Sequence, residues 1–274
     1  MPGNMEGKGL EELTTEKIQG LPGRKLGWRE IAVPTTTLVL LVLAWEAAVR
    51  GFNIAPVVLP PPSDALLLIV KNPGLLLVHA YTTTQEILFG FLLAVVAGLA
   101  FSVIMIHSKI MSEALYPLIV LSQMVPKVAV APLLLLWLGY GMLPKVVIAF
   151  TIAFFPIVIN GISGLTSVDP EMLDLLKVLK ASRTQVLAKI RFKNSLPYVF
   201  DGLKIASTLA VIGAIVAEFV GGDSGLGYLI IVSNANLNTT MMFAALIVLS
   251  ALGMLLFALI VVLERLAIPW HFRQ

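Results

Sequence analysis

Long apolar blocks separated by short polar intervals organise this chain. A helix that crosses a bilayer needs about 20 mostly apolar residues. Six stretches meet or approach that requirement: 31–49, 86–106, 114–138, 145–165, 199–220 and 241–263. The third is the least regular, because Pro117, Pro126 and Pro132 fall inside it. Between the first two blocks, "RGFNIAPVVLPPPSDALLLIVKNPG" carries Pro60 to Pro62, a run that favours stiff, extended backbone. The "SDALLLIV" that follows reads as a short interfacial helix capped by Ser63 or Asp64. The pattern therefore predicts an all-α integral membrane fold of about six spans. Residues 1–30 form a polar, solvated tail, 31–265 one membrane domain and 266–274 a second short tail.

Composition sharpens the class. Of 274 residues, 58% are hydrophobic and 13% charged, about half the charge of a typical soluble domain. The chain has no cysteine, which excludes disulfides, thiolate chemistry and Cys-based metal sites. The polar start lacks the short basic stretch and apolar core of a secretory signal. Lys and Arg gather on the cytoplasmic side of membrane proteins. Alternating the blocks places Arg24, Lys25, Arg29, Lys109, a basic run, Arg265 and Arg273 on one side. Arg50, Lys71 and Lys145 fall on the other, where "GGDSGLGYLIIVSNANLNTT" adds none. Both termini are expected in the cytoplasm.

The basic run, "MLDLLKVLKASRTQVLAKIRFKNSLP" at 172–197, holds six Lys or Arg residues between apolar blocks. Asp169, Pro170 and Glu171 form a helix start that caps, fixes φ and complements the dipole. Met172, Leu175, Leu176 and Leu179 then recur at helical spacing as one apolar stripe. "SRTQ" fits a capping box, with Ser182 and Gln185, and "NSLP" marks a further start at the next span. The segment is expected to be two short amphipathic helices meeting at a corner. Three uses are compatible with that: a helix lying on anionic lipid, charge that sets topology, or a docking element whose leucines enter a groove. The double cap favours a rigid element.

These residues resemble the cytoplasmic "EAA…G…LP" segment of the membrane permease subunits of bacterial ABC importers, of the nitrate/sulfonate/taurine type. Asp174, Leu175 and Leu176 stand at the EAA position, Ala181 and Ser182 match the "AS", and Leu196 and Pro197 match the "LP". Leucines replace the usual alanines, and Lys180 replaces the usual glycine. "GLKIA" at 202–206, "PKVAVAPLLLLWLGYGMLPKV" at 126–146, "AEFVGGDSGLGYLI" at 217–230 and "IPWH" at 268–271 extend the likeness to roughly 59–271. The resemblance implies a type I ABC importer-like permease in the bacterial inner membrane, with a coupling helix between spans four and five. Its contacts with the ATPase would come from Glu171, Met172, Asp174, Leu175, Leu176, Lys177, Leu179, Lys180, Ala181 and Ser182. It also implies two copies of a cytoplasmic ATPase subunit carrying ATP and Mg, a second copy of this chain, an external solute-binding protein and surrounding lipid. Members of the family move nitrate, sulfonates, taurine, bicarbonate, aromatic acids and vitamin-like heterocycles.

Candidate chemistry within the chain is sparse. No phosphate-binding loop of the G-x-x-x-x-G-K-[ST] kind occurs, so the chain is expected to bind no ATP and to hold no cofactor of its own. No nucleic-acid partner is expected. His79, His107 and His271 are too scattered for a metal site. Glu46, Glu86 and Glu218 fall near the outer ends of their spans, where snorkelling or pairing relieves the cost of charge; Glu218 is also a gate or pathway candidate. A span broken by proline must face protein or water, which makes Gln123, Met124, Val125 and Lys127 pathway candidates, with Asn160 beside them. Kinked packing at a subunit interface, and a bond between helices at Asn160, are the competing readings. Ala94/Gly98 and Ala210/Ala214 form small-xxx-small patterns. A gradient-driven carrier, the alternative function, requires titratable groups near the bilayer centre. A membrane enzyme requires a nucleophile or metal cluster. The sequence offers neither, and Lys127 stands as its only deep cation.

Overall fold

A computed structural model describes residues 28–272, and every regular element among them is helical. Most of the N-terminal tail, with Arg24 and Lys25, and Arg273 near the C-terminus lie outside the described residues. Helix α1 (Trp28–Gly51) is followed by α2 (Pro62–Lys71). Neither Ser63 nor Asp64 caps α2 by its side chain. Glu46 of α1 does so from across the loop, accepting from Ser63 N at 3.1 Å and Ser63 Oγ at 2.7 Å while pairing with Arg50.

Helix α3 (Pro73–His107) has 35 residues, which is about 50 Å at 1.5 Å per residue, well beyond the ~30 Å hydrocarbon core. The polar "TTTQ" before Glu86 resembles a boundary in sequence. It is helical because the Thr82, Thr83 and Thr84 hydroxyls bond back to carbonyls four residues earlier, at 3.3, 3.2 and 2.7 Å.

The irregular third block forms two helices, α4 (Lys109–Met124) and α5 (Lys127–Leu138), bent by 96° at the break. Of the three prolines, Pro126 makes the break. It has no N–H to donate, and it drives Val125 into extended backbone at φ −72°, ψ 124°. Neither half reaches across a bilayer alone. Five other helices are long and apolar enough to do so, and the bent pair brings the number to six among the described residues.

Helix α6 (Met142–Thr166) is central, with α3 and α8 (Arg183–Gly221) on either side. Small residues allow that approach. A Cβ on Gly90 of α3 would lie 2.6 Å from Ala149 Cβ, and one on Gly213 of α8 would lie 2.6 Å from Ala149 Cα. Ala94, Ala149, Ala153, Ala210 and Ala214 have no exposed surface. Both small-xxx-small patterns therefore pack helix on helix, as in membrane bundles generally.

Between α6 and α8 runs α7 (Pro170–Val178). The chain then turns into α8, which continues through one π turn (Leu187–Arg191) to Gly221. The expected second short helix and the start at "NSLP" are thus one uninterrupted helix. Pro197 is tolerated because the carbonyl it leaves free belongs to the exposed Lys193. Helix α9 (Leu226–Ala235) is a short apolar helix that the sequence pattern concealed inside a presumed loop. Helix α10 (Thr239–Ala267) and a final 3-10 turn (Pro269–Phe272) close the fold. Lys204 joins α8 to α10 through Glu264 at 3.1 Å.

Candidate translocation and coupling sites

Helix α7 is capped as its sequence predicts. Asp169 accepts from Glu171 N at 2.9 Å, and Asp174 pairs with Lys177 at 2.7 Å. Its C-terminus is a Schellman motif: Ala181 N donates to Leu176 O and Lys180 N to Lys177 O, both at 3.0 Å. That motif puts Lys180 at φ +55°, the left-handed conformation that glycine adopts without cost. The glycine of the family pattern therefore has a conformational reason, which Lys180 satisfies under strain. Ser182 and Gln185 complete the capping box at 3.2 and 2.9 Å.

No residue of α7 is buried. Met172, Leu175 and Leu179 are 45%, 54% and 67% exposed, with Glu171, Asp174, Lys177, Lys180 and Ser182 exposed around them. Leu176 and Ala181 are half-buried against the rest of the chain. The segment is held at its base: Arg191 Nη1 donates to Leu165 O at 3.1 Å, and Asn194 Nδ2 to Ser167 Oγ at 2.7 Å.

At the α4–α5 break the Lys127 ammonium sits over the Phe155 ring, 4.1 Å from its centroid, an attractive cation–π geometry. Beside it is a cavity of about 200 Å³, lined by Ser122, Val125 and Lys127 with Thr151 and Phe155 of α6. Of the pathway candidates, the structure gathers Val125 and Lys127 here. Gln123 and Met124 are exposed and do not line this cavity. Asn160 Nδ2 donates to Pro156 O of its own helix at 2.8 Å, so its described hydrogen bond does not cross between helices, and its side chain packs against Gly202 of α8. Thr151 and Phe155 were missed; their i, i+4 spacing on α6 puts them on one face, a signal drowned by the apolar background.

A buried polar network at the end opposite α7 was also missed. Glu86, Lys145 and Glu218 are at most 2% exposed, so none of them snorkels, and Lys127 is not the only deep cation. Lys145 Nζ lies 2.9 Å from Glu86 Oε1, 3.3 Å from Ser224 O and 3.5 Å from the exposed Asp223. The Ser224 hydroxyl, backbone bonding and the Lys145 charge hold the Asp223 carboxyl below its ordinary range. Glu218 accepts from Thr83 Oγ1 at 2.6 Å, from Tyr228 N at 3.3 Å and from Gly227 N. Thr83 Oγ1 accepts from Leu226 N at 2.8 Å, and His79 Nδ1 from Gly225 N at 3.1 Å. Gly225, at φ +108°, leaves no room for a Cβ beside the Glu218 carboxylate. The glycine-rich stretch is thus a turn that delivers the N-terminus of α9 to Glu218. In the acid cluster that the sequence did not foresee, Glu218 lies one turn from the end of α8 and Glu86 lies 13 residues inside α3; neither borders the described cavities.

A bundle built on small-residue packing, with one span broken at proline and a capped amphipathic helix exposed before the penultimate span, is the architecture of a type I ABC importer permease. The family of binding-protein-dependent transport system inner membrane components matches residues 86–268, and the chain belongs to it. It is 34% identical to the formylaminopyrimidine transport permease protein ThiX of Halalkalibacterium halodurans, over 88% of this chain and 96% of that one. It is 34% identical to the riboflavin transport system permease protein RibX of Chloroflexus aurantiacus, over 90% and 93%. The taurine transport system permease protein TauC of Escherichia coli is 28% identical, over 96% and 98%. The chain is accordingly a multi-pass inner-membrane transport subunit.

Proposed function

We propose that two copies of this chain form one translocation pathway, that a cytoplasmic ATPase subunit docks on each α7, and that a solute-binding protein delivers a small organic solute at the opposite face. ATP and Mg belong to the ATPase subunits, and both termini face the cytoplasm with α7. The observation that carries this reading is the uncovered face of α7. A helix capped at both ends that keeps Met172, Leu175 and Leu179 exposed suits a protein groove. Closure of the ATPase dimer displaces α7, and the short connections at its two ends carry the displacement into α6 and α8, which are bonded to each other at that point.

The solute is a vitamin-like heterocycle or an aromatic or sulfonate-type organic anion. Relatives named for formylaminopyrimidine and riboflavin, at 34% identity, support the first; the taurine relative, at 28%, supports the second. Lys127 over Phe155 offers a cation beside a flat apolar surface, which both chemistries can use. The test is reconstitution with the ATPase and binding protein in liposomes. Leu175→Asp with Leu179→Asp is expected to abolish ATPase co-purification and ATP-driven uptake without unfolding the chain. Uptake that persists without ATP would overturn the reading in favour of a gradient-driven carrier.

A further inference from the structure

A cavity of about 540 Å³ opens where the end of α3, the inner side of α7 and the start of α8 meet. Its lining includes Ile106 and His107 of α3, Lys177 of α7, and Arg183, Leu187 and Arg191 of α8. Among the described residues, four basic side chains from three helices border it, and no carboxylate lines it. Asp169 caps α7, and Asp174 pairs with Lys177 and offsets one of the four charges, which leaves the two arginines as the principal cations of the hollow. The positive-inside bias explains how many cations lie at this end, but not their convergence on one hollow. Lys189 and Lys193, on the same helix as Arg183, stand outside it, exposed.

We propose that this hollow holds the phosphate of an anionic phospholipid headgroup. The volume falls within the roughly 300–1,000 Å³ of small-ligand sites. A guanidinium fork matches phosphate oxygens bidentately, and Arg191 is fixed from behind by its bond to Leu165 O at 3.1 Å. The rest of the lining is aliphatic, from Ile106, Leu173, Val186 and Leu187. Ile110 and Met111, at the start of α4 just beyond His107, are exposed apolar side chains at the same end of the bundle. Free phosphate would leave that apolar wall unused. Helical spacing sets Leu173 and Lys177 on the side of α7 away from Met172, Leu175 and Leu179. A lipid seated there props the helix from behind without covering its outer face. The assignment needs the membrane setting of the chain and does not depend on what docks on α7.

Native mass spectrometry of the full-length chain, purified in mild detergent and offered equimolar phosphatidylglycerol and phosphatidylcholine, tests this. The native chain is expected to retain phosphatidylglycerol preferentially. Near an anionic lipid each basic group is worth about fivefold in affinity; Lys177 is already paired with Asp174, so Lys177→Gln with Arg183→Gln is expected to lose at least about fivefold. Lys189→Gln with Lys193→Gln should stay within about twofold. Equal losses in the two pairs, or equal retention of both lipids by the native chain, would overturn the site. Displacement of phosphatidylglycerol by millimolar inorganic phosphate would overturn the lipid assignment, since the acyl chains would then contribute nothing. Circular dichroism of each variant separates lost binding from lost fold.

Discussion

Replacing Glu218 by alanine removes the acceptor that joins α8, α3 and α9. The side chain is 1% exposed, so its donors cannot turn to water instead. Thr83 Oγ1 at 2.6 Å, Gly227 N, and Tyr228 N at 3.3 Å would all lose a partner. A buried donor left unsatisfied costs about 1–3 kcal/mol. Thr83 can rotate toward His79 O, which it already reaches at 3.2 Å, and Tyr228 N is the longest of the bonds. The full cost then falls on Gly227 N, with smaller losses at the other two, for a total of about 4 kcal/mol. Glutamine keeps the volume and one acceptor oxygen but turns an NH₂ toward a donor, so Glu218→Gln should lose about 2 kcal/mol. Hydrogen exchange of the amides over 222–235 in detergent reads this directly. At tenfold per 1.4 kcal/mol, protection of Gly227 and Tyr228 should fall roughly a thousandfold in the alanine variant. Native-like protection of α9 in Glu218→Ala would refute the claim that this carboxylate holds the turn.

Lys180 at φ +55° bears a strain of about 1 kcal/mol that glycine relieves. Lys180→Gly should therefore raise exchange protection across α7; a fall would refute the Schellman reading. Lys145→Met leaves Glu86 buried opposite no cation and should cost about 3–5 kcal/mol in denaturant unfolding. Adding Glu86→Gln should recover most of that, and a double variant as unstable as the single would sink the pairing. Gly213→Ala and Gly253→Ala should have opposite signs in the same assay. The first drives a Cβ to 2.6 Å from Ala149 Cα, an overpacking cost of about 1–3 kcal/mol. The second meets nothing closer than Val211 at 3.7 Å and should gain up to about 1 kcal/mol from helix propensity.

The long helices were legible in this chain because apolar length is a strong signal, whereas the ten-residue α9 was too short to give one. Helix ends were not legible. Thr82–Thr84 and the basic start of α8 look like boundaries, yet the first satisfies its hydroxyls within the helix and the second projects from the bundle into polar surroundings. The caps of α7 and α8 were read correctly because they are local: Asp169, Ser182 and Gln185 bond within three residues of themselves. Pairings across long separations left no local trace. Glu86 meets Lys145 from another helix, Glu218 meets Thr83 across 135 positions, and Glu46 caps a helix 17 residues away. For charge near a span end, snorkelling and pairing stayed open together because sequence position gives depth along a helix but not the direction in which the side chain points.

The distribution of ties decides where a push on α7 could go. At its base the end of α6 is tied directly to the start of α8, Leu165 to Arg191 and Ser167 to Asn194, so α7 hangs from a closed junction of the two helices that flank it. Above that base, α3, α6 and α8 touch through glycine and alanine with almost no side chain between them, and close-packed contacts of this kind are poorly compressible. At the far end Glu218 and Lys145 fasten α9 and the preceding turn to the same helices. A displacement passed through that junction would meet three helices packed as one body. What remains deformable is the α4–α5 corner, where the ladder is interrupted at Pro126 and the chain already bends by 96°. Lys127 and Phe155 meet at that corner. The soft point of the chain and its best candidate for contact with solute thus coincide, so under the proposed function a lever action at α7 would be expressed at that candidate without any change in the packing of the core.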